Sequence, residues 1–317
     1  MRIDYLRVSV TDRCNLRCIY CNPLRDCDLI KRGEVLTFEE IHRIVRLFAE
    51  CGVSKVRLTG GEPLVRKNIV ALMDKLVTVV DIEELTLTTN GVLLEEVADE
   101  LKSAGLNRVN VSIDSLDRGC YQTITGYDLL DYVKRGINKA IKVGLTPVKI
   151  NVVVLKAINE QDITALAQLS VEMPIAVRFI EYCPTSKRAK PDRFFVPNSH
   201  VRKNIESRFG PLTATVGTKG SGPAVYFKTK DSAGSVGFIS GKSEFFCQRC
   251  NRIRLTSDGK VRPCLYSAYL YDIKGLIRSG ASDEQILALM KKIIAEKHRY
   301  TRLNSPAVGF SMRNVGG

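Results

Sequence analysis

Residues 11–21 are T-D-R-C-N-L-R-C-I-Y-C and place Cys14, Cys18 and Cys21 within eight residues. A second group, Cys247, Cys250 and Cys264, lies in the stretch 246–264, F-C-Q-R-C-N-R-I-R-L-T-S-D-G-K-V-R-P-C. Thiolates select soft or borderline metals, chiefly zinc and iron–sulfur clusters. A closed structural zinc site takes four protein ligands, whereas a site that binds something else keeps one position open. Two groups of three thiolates therefore predict two metal centres, each with a position left for a small molecule.

Working outward from this stretch, the first two-thirds of the chain alternates β-rich runs with amphipathic helical patterns. Such alternation predicts βα units and a parallel sheet. Six strands fall short of the eight of a closed TIM barrel, so the pattern predicts a partial barrel or a doubly wound sheet. The predicted strands are Tyr5–Val10, Lys55–Thr59, Glu84–Thr88, Arg108–Ile113, Pro147–Leu155 and Ile175–Ile180. The predicted helices are Phe38–Cys51, Asn68–Val79, Leu94–Ser103, Leu129–Val143 and Asp162–Val171.

Polar residues gather where these strands end. In parallel βα architectures, sites form at the carboxyl ends of the strands. We therefore expect one rim of the sheet to collect these side chains. They are Arg13, Gly61, Glu62, Thr88, Asn90, Ser112, Asp114, Lys149, Asn151, Arg178 and Glu181, together with Cys14.

The pattern changes after about residue 196. Two hairpins are predicted, Val225–Lys228 with Ser235–Ile239 and Arg252–Thr256 with Lys260–Arg262, followed by a helix over Asp283–Lys297. The second hairpin turns at Ser257-Asp258-Gly259, a strong turn pattern. We therefore divide the chain into residues 1–196, a partial barrel, and residues 197–317, a C-terminal region that carries the second cysteine group.

Composition narrows the class of protein. The 317 residues include 48 Lys and Arg against 34 Asp and Glu, a net charge of +14 that favours anionic partners. No apolar run approaches the ~20 residues that cross a bilayer, and Met1-Arg2-Ile3-Asp4 leads into a strand-like run without a signal peptide. We expect a cytoplasmic protein, in which ten cysteines are metal ligands or catalytic groups rather than disulfides.

The first cysteine group, with Tyr20 before its last cysteine, resembles the signature of the radical S-adenosylmethionine superfamily. That resemblance implies a 4Fe-4S cluster whose free iron binds S-adenosylmethionine. It also implies that Glu62, in Thr59-Gly60-Gly61-Glu62-Pro63, accepts from the methionine ammonium group, and that Tyr20, Gly61, Asn90, Ser112 and Cys183 contact the cofactor.

Taken together, the motifs resemble the GTP 3′,8-cyclases of molybdenum-cofactor biosynthesis. The likeness covers almost the whole chain: L-R-V-S-V-T-D-R-C, R-L-T-G-G-E-P-L-V-R, L-T-T-N-G, V-S-I-D, V-R-F-I-E-Y, the second cysteine group and the final Gly316-Gly317. It implies an α/β fold, an incomplete (β/α)6 TIM-like radical S-adenosylmethionine barrel with a small α+β C-terminal region. It also implies a second 4Fe-4S cluster on Cys247, Cys250 and Cys264, whose open iron meets guanine.

The family resemblance assigns roles to single residues. The positions that match its GTP contacts are Arg7, Arg57, Thr88, Lys149, Arg178, Arg252 and Arg254. Arg252, Arg254 and the Gly316-Gly317 tail match residues that act at the reacting centre. Paired guanidiniums suit phosphate oxygens or the O6/N7 edge of guanine.

The implied reaction removes the 3′ hydrogen of GTP and joins C3′ to C8 of guanine. The implied partners are GTP, a low-potential electron donor and a downstream cyclic pyranopterin monophosphate synthase. No membrane is involved, nucleic acid is not expected to bind, and the protein is a monomer or homodimer.

Two features depart from the family. Cys183 stands in Glu181-Tyr182-Cys183-Pro184 where relatives often have Met. The stretch from Cys21 to Thr37 is shorter than in many relatives, and its Cys27 has no family role.

Other interpretations remain open from the residues alone. Cys27 would complete a zinc loop at the first cysteine group, and Cys183 or a water would complete a zinc knuckle at the second. On that basis the chain is a non-catalytic zinc protein that binds nucleic acid. A third interpretation is a radical S-adenosylmethionine enzyme that modifies RNA or a peptide, with the second cluster as an auxiliary centre.

Overall fold

In the computed structural model, the structure describes residues 3–21, 29–184, 193–216, 222–244, 246–300 and 312–316. The first six strands are β1 Tyr5–Ser9, β2 Lys55–Thr59, β3 Glu84–Thr89, β4 Arg108–Ser112, β5 Lys149–Val154 and β6 Ala176–Glu181. The helices around them are α1 Phe38–Glu50, α2 Ile69–Val77, α3 Leu94–Ser103, α4 Arg118–Thr125, α5 Leu130–Lys142 and α6 Ile163–Glu172. All six predicted strands and five predicted helices are confirmed, with ends shifted by no more than two residues.

Local chemistry explains where these helices begin and end. Thr37 and Glu40 form a capping box at the start of α1, in which each side chain accepts from the other residue's backbone N–H. Gly52, Gly105 and Gly144 have φ of 92°, 85° and 78° just after α1, α3 and α5. This left-handed conformation ends a helix and suits glycine, which has no Cβ to clash.

The C-terminal part adds α7 Asn198–Phe209, β7 Thr213–Ala214, β8 Val225–Lys228, β9 Ser235–Ile239, β10 Arg252–Leu255, β11 Lys260–Arg262 and β12 Tyr271–Asp272. It ends with α8 Ile273–Arg278, α9 Asp283–Ala295 and α10 Met312–Val315. Both predicted hairpins are confirmed, since β8 pairs antiparallel with β9 and β10 with β11.

All twelve of these strands form a single open sheet, in the order β12-β11-β10-β1-β2-β3-β4-β5-β6-β9-β8-β7. The predicted incomplete (β/α)6 barrel is its centre, where β1 to β6 are parallel neighbours in chain order. The C-terminal hairpins extend it at both edges, because β10 runs parallel to β1 and β9 runs parallel to β6. The division into residues 1–196 and 197–317 stays a prediction, and strands from both ranges share the sheet.

The two faces of the barrel strands differ in chemistry. In β2, Val56 and Leu58 are fully buried in the main apolar core, whereas Lys55, Arg57 and Thr59 line an internal cavity. The same alternation, with apolar side chains outward to the helices and polar ones inward, continues in β3 and β4. No helix in the described ranges is long and apolar enough to span a membrane.

Candidate functional site

A cavity of ≈ 390 Å³ lies inside the curved sheet, and all six cysteines of the two predicted groups line it. The first group follows the carboxyl end of β1. Cys247 and Cys250 precede β10, which is parallel to β1, and Cys264 follows the antiparallel β11. The second group therefore lies at the amino ends of the barrel strands. The two cysteine groups face the cavity from opposite ends.

The loop of the first group is held by neighbouring backbone. Arg17 N and Ile19 N donate to the carbonyl oxygens of Thr125 and Ile124 at the end of α4, over 2.8 and 3.0 Å. On the other side, a Cβ at Gly61 would lie 2.3 Å from the carbonyl oxygen of Arg13. Glycine is therefore required at this position for the turn to approach the cysteine loop. From the sequence, we had expected Gly61 to let the backbone approach a ligand instead.

The thiols of the first group suit a multi-iron cluster. Leu16 N lies 3.4 Å and Asn90 Nδ2 lies 3.9 Å from Cys14 Sγ, so N–H donors surround a sulfur that carries charge as a thiolate. Burial raises the pKa of Cys18, and the neighbouring Cys21, Asp114 and Cys14 raise it further. Three crowded thiolates need a cation between them, which iron supplies. In the described residues, no three His, Cys, Asp or Glu side chains are arranged so that they could hold a single metal ion.

Glu62 and Asn90 lie beside this loop, as the sequence predicted. The carboxylate of Glu62 is buried and accepts from Leu64 N at 3.0 Å, Thr89 Oγ1 at 2.8 Å and Asn90 N at 2.7 Å. These donors favour the charged form, but burial outweighs them and raises the pKa of Glu62 to about 7. The group is therefore an acceptor whose charge depends on a cationic partner in the cavity.

Tyr20 is fixed by a residue to which the sequence assigned no specific role. Its hydroxyl donates to Oδ2 of Asp114 over 2.6 Å, and Oδ1 of Asp114 accepts from Val153 N over 2.8 Å. Burial raises the pKa of Asp114 to about 6. Because Asp114 follows β4 and Val153 lies in β5, the cluster loop is tied to two strands.

The remaining predicted cofactor contacts lie around the same cavity. Ser112 at the end of β4 and Cys183 after β6 both line it. A Cβ at Gly241 would lie 3.0 Å from Cys183 Sγ, so a small residue accommodates this thiol. Cys27, the proposed fourth zinc ligand, lies outside the described residues.

A band of cationic side chains lies between the two cysteine groups, toward the amino ends of the strands. At its centre are Arg57, Arg108, Lys149 and Arg178. Burial, followed by the positive charges of Arg108, Arg178 and Arg57, lowers the pKa of Lys149 to about 6. The buried Nε of Arg178 has no hydrogen-bond partner within the described residues. Such a concentration of buried positive charge is unfavourable without anions, so the band favours an anionic ligand.

The charge balance of the lining supports this assignment. In the described part of the chain, nine cationic side chains line the cavity against four carboxylates. Each of the four carboxylates already accepts hydrogen bonds from protein groups. The cations are Arg7, Lys55, Arg57, Arg108, Lys149, Arg178, Arg252, Arg254 and Lys297, and the carboxylates are Glu62, Glu84, Asp114 and Glu181.

This band corrects the expectation of a single rim. Lys149 is the first residue of β5 and Arg252 the first of β10, whereas Arg57 is in the middle of β2. They lie below the carboxyl rim because inward-facing positions recur every second residue along the whole strand. The predicted substrate residues therefore share the cavity and, apart from Thr88 near the carboxyl end of β3, occupy its depth and amino end. The predicted cofactor residues lie at its carboxyl end.

Strand pairing assembles the predicted arginines. Arg7 in β1 is the register partner of Arg57 in β2 on one side and of Arg254 in β10 on the other. Nη1 of Arg57 donates to Thr88 Oγ1 over 3.3 Å, and its Nε donates to the hydroxyl of Tyr5. Burial alone raises the pKa of Tyr5, but Arg57, Arg7 and Arg252 outweigh it and leave that pKa below its usual value.

The second cysteine group also has cationic neighbours. Burial raises the pKa of Cys250, but Arg252 and Lys297 more than offset this and lower it to about 7. Nζ of Lys297 lies 3.9 Å from Cys250 Sγ. A thiol that ionises near neutrality beside two cations is a suitable ligand for an iron–sulfur cluster.

The end of the chain enters the cavity region. Gly316 is buried with φ of 74°, and its carbonyl oxygen accepts from Nη1 of Arg254 over 2.9 Å. Gly317 lies outside the described residues. Of the cysteines left without a role, Cys51 lies at the end of α1, and Cys120 in α4 donates to Ile158 O over 3.2 Å.

Sequence reasoning missed several lining residues, namely Tyr5, Lys55, Glu84 and Arg108, and gave Asp114 no role beyond the rim. The period-two pattern contains the missing information. Lys55 precedes the predicted Arg57 by two positions, Glu84 precedes the predicted Thr88 by four, and Arg108 precedes the predicted Ser112 by four. Counting back from each predicted site residue in steps of two would have found them.

Two protein families match successive parts of this chain. The radical SAM superfamily matches residues 8–170, and the family described as molybdenum cofactor synthesis C matches residues 175–303. Among curated proteins, the chain is 46% identical to a GTP 3′,8-cyclase of Thermodesulfovibrio yellowstonii, over 92% of this chain and 91% of that one. It is 44% identical to a GTP 3′,8-cyclase of Pelotomaculum thermopropionicum, over 99% and 98%.

Solved structures show the same fold at low sequence identity. SuiB of Streptococcus suis bound to S-adenosylmethionine superposes with a TM-score of 0.61 and 16% identity, over 91% of this chain and 68% of that one. Native anSMEcpe with bound AdoMet gives a TM-score of 0.51 and 17% identity, over 65% and 60%. These likenesses confirm the predicted barrel.

Proposed function

This chain belongs to the GTP 3′,8-cyclase family of the radical SAM superfamily, and we propose that it converts GTP to (8S)-3′,8-cyclo-7,8-dihydroguanosine 5′-triphosphate. The reaction uses S-adenosylmethionine and a reductant, belongs to the lyase class, and is the first committed step of molybdenum cofactor biosynthesis. One observation carries the proposal: a single cavity joins two groups of three thiols through a band of cations.

The carboxyl end of the cavity is the cofactor site. Cys14, Cys18 and Cys21 hold a 4Fe-4S cluster there, and Glu62 accepts from the ammonium group of S-adenosylmethionine. Together, the bound cluster and S-adenosylmethionine would supply a 5′-deoxyadenosyl radical, which forms when an electron from the cluster breaks a carbon–sulfur bond of the cofactor. Tyr20, fixed by Asp114, forms a wall of the site together with Gly61, Asn90, Ser112 and Cys183.

The amino end of the cavity is the nucleotide site. Cys247, Cys250 and Cys264 hold the second 4Fe-4S cluster, and Arg252 and Arg254 on the adjacent β10 offer guanidinium forks to guanine and the neighbouring oxygens. Arg7, Arg57, Thr88, Lys149 and Arg178 bind the ribose and phosphates. Charge-assisted hydrogen bonds of this kind contribute about 1.5–3 kcal/mol each.

This arrangement places the reacting sugar between the two ends. Guanine near β10 and phosphates near β5 and β6 leave the ribose in the middle, facing the cofactor end. The apolar side chains of Leu16, Val153 and Ile180 line the cavity as well and limit water around the reacting C–H bond. Gly316, bound to Arg254, lies at this junction, where the tail orients the guanidinium toward the substrate.

The proposal includes partners and location. An external low-potential electron donor supplies reducing equivalents, and a cyclic pyranopterin monophosphate synthase takes the product. The charge of the cavity favours GTP over a peptide, and we infer a cytoplasmic monomer or homodimer. Six of the ten cysteines are metal ligands in this proposal rather than disulfide partners, which agrees with a reducing compartment.

The test is anaerobic incubation of the reconstituted protein with GTP, S-adenosylmethionine and dithionite, followed by mass analysis. We expect 5′-deoxyadenosine and a product that is an isomer of GTP. The hydrogen atom lost from C3′ is replaced by one electron from the reductant and one proton when the cyclised radical is reduced, so the product has the mass of GTP but a different chromatographic retention. GTP deuterated at C3′ should transfer its label to 5′-deoxyadenosine. Absence of both the isomeric product and the label transfer, with tight salt-sensitive RNA binding, would favour the RNA-modifying alternative instead.

A further inference from the structure

The pair Arg108 and Glu84 lies at the amino-end floor of the cavity, outside the residues assigned above. Arg108 is the first residue of β4 and Glu84 the first of β3, and both side chains line the cavity. Nε of Arg108 donates to Oε1 of Glu84 over 2.6 Å. The side chain of Arg108 is 5% exposed and that of Glu84 is 20% exposed, so this ion pair is largely removed from solvent.

The geometry of the pair leaves most of the guanidinium for a ligand. A guanidinium has five N–H groups in a planar fork, and Glu84 engages the one on Nε. Within the described residues, the two terminal amino groups of Arg108 have no further hydrogen bond. A buried guanidinium held by one edge in this way presents its other edge to an oxyanion.

Arg108 is part of the cation band by electrostatic coupling. After burial, the positive charge of Arg108 lowers the pKa of Lys149 most, ahead of Arg178 and Arg57. An anion that relieves Lys149 therefore relieves Arg108 as well. Asn110, two residues along β4, is the register partner of Lys149, which brings the two strands' inward faces together.

The position of the pair in the sheet indicates which part of the nucleotide it meets. The strand order β10-β1-β2-β3-β4-β5 places β4 across the cavity from β10. If guanine lies at Arg252 and Arg254 on β10, the phosphate chain runs away from it past β6 and β5, and its far end reaches the neighbouring β4.

We propose that Arg108, oriented by Glu84, binds the terminal phosphate of the nucleotide and makes the site select a nucleoside triphosphate over a diphosphate. This inference rests on the proposed function, since it takes GTP as the ligand. Arg108 acts as a specificity-determining contact, and Glu84 is a positioning residue.

The test is the ratio of dissociation constants for GDP and GTP, measured by calorimetry on the anaerobically reconstituted protein without reductant. We expect the wild type to prefer GTP and Arg108→Ala to lose about tenfold in GTP affinity, with GDP affinity changed less than twofold. Arg108→Gln keeps a donor for Glu84 but removes the charge, and should reduce the ratio in the same way. The glutamine variant also tests the inference if the alanine variant does not fold. Glu84→Gln keeps an acceptor that orients Arg108 but removes the opposing charge, so it should bind GTP at least as tightly as the wild type.

The control is Arg135→Ala, which breaks the exposed ion pair with Glu95 on the outer surface and should leave the ratio unchanged. If the Arg108 variants bind GTP and GDP more weakly by the same factor, the role of Arg108 is purely structural and the inference is overturned. Unchanged affinities for both nucleotides would overturn it as well. A wild type that binds GTP and GDP equally would overturn it too. A wild type that binds neither nucleotide would instead remove the proposed function, and the inference with it.

Discussion

The carbonyl oxygen of Gly316 accepts a hydrogen bond from Nη1 of Arg254 over 2.9 Å, so the end of the chain is bound to the inner face of the barrel. A Cβ at Gly316 would lie 2.2 Å from Cγ2 of Thr59, at the end of β2. The tail thus contacts β2 and β10 at once, and only a glycine fits between them.

Gly316→Ala tests this contact. The left-handed φ of 74° costs an alanine about 1 kcal/mol, and the clash with Thr59 displaces the tail. We expect at least tenfold less cyclised product by mass analysis, with iron content and thermal stability unchanged. Thr59→Ser, which removes the clashing methyl, should recover part of the loss. Gly280→Ala, with φ of 83° and open space around it, controls for backbone strain alone. An active Gly316→Ala variant would contradict a role for the tail.

Arg252→Ala tests the division of the cavity into two ends. Arg252 is the first residue of β10 and lies at the amino end of the cavity, away from the first cysteine group. The variant should keep uncoupled S-adenosylmethionine cleavage while losing about a hundredfold in GTP-dependent product, because two charge-assisted hydrogen bonds together are worth about 3 kcal/mol. Iron analysis checks that the adjacent Cys250 still holds its cluster. Loss of uncoupled cleavage at full iron content would argue against a substrate role for this residue.

The pH dependence of cofactor binding follows from Glu62. Burial raises the pKa of Glu62 to about 7, so the carboxylate gains a proton as the pH falls through neutrality. Only the charged form attracts an ammonium group. We expect S-adenosylmethionine affinity to fall, approaching tenfold per pH unit, as the pH drops below about 7. Equilibrium dialysis between about pH 6 and 8 measures this.

Glu62→Gln should bind the cofactor more weakly and without that pH dependence. Glu95→Gln, which alters an exposed carboxylate in a surface ion pair, serves as the control and should behave as the wild type. A Glu62→Gln variant that retains the wild-type pH profile would assign the titration to another group.

Lys149 predicts proton uptake on nucleotide binding. Burial and the neighbouring arginines lower the pKa of Lys149 to about 6, so at pH 7 most of the ligand-free protein carries it neutral. A triphosphate beside it raises that pKa, and the amine takes up a proton. Calorimetry of GTP binding in buffers of different ionisation enthalpy should show uptake approaching one proton, and affinity should fall as the pH rises above 7. Lys149→Met should abolish the uptake; an unchanged uptake would point elsewhere in the band.

The cysteine groups predict separable clusters. Cys264→Ser should lose about four of roughly eight irons per chain, because in our proposal each cysteine group holds one 4Fe-4S cluster. Cys51→Ser, at the end of α1 and away from the cavity, should keep them all. Iron and sulfide analysis after anaerobic reconstitution gives the counts. Zinc without sulfide in the wild type would support the zinc interpretation.

Much of the barrel could be predicted because its information is local. Alternating residues in Lys55–Thr59 predict a strand with two chemically different faces, and Thr37 with Glu40 predicts the start of α1. The thiols of the first group are close in sequence, so their grouping follows from spacing alone. Glu62 and Asn90 were likewise placed beside them from the order of the βα units.

Other parts of the site depend on contacts between distant segments. Asp114 was noted only at the strand end, because nothing local connects it to the hydroxyl of Tyr20. Arg108 and Glu84 are the first residues of their strands, whereas the sequence analysis considered only residues toward the carboxyl ends. The use of Gly61 also differs from expectation, since what approaches it is the backbone of Arg13.

By itself, the sequence determined the two thiol triplets, the order of the βα units and the family, since residue type and spacing along the chain carry them. Only the tertiary structure decided that β10 joins the free edge of β1, which puts Arg254 beside Arg7 and the second cysteine group at the far end of the barrel from the first. The physical reason is that edge pairing is a matter of backbone hydrogen bonds between segments far apart in the chain, and backbone groups are the same in every strand.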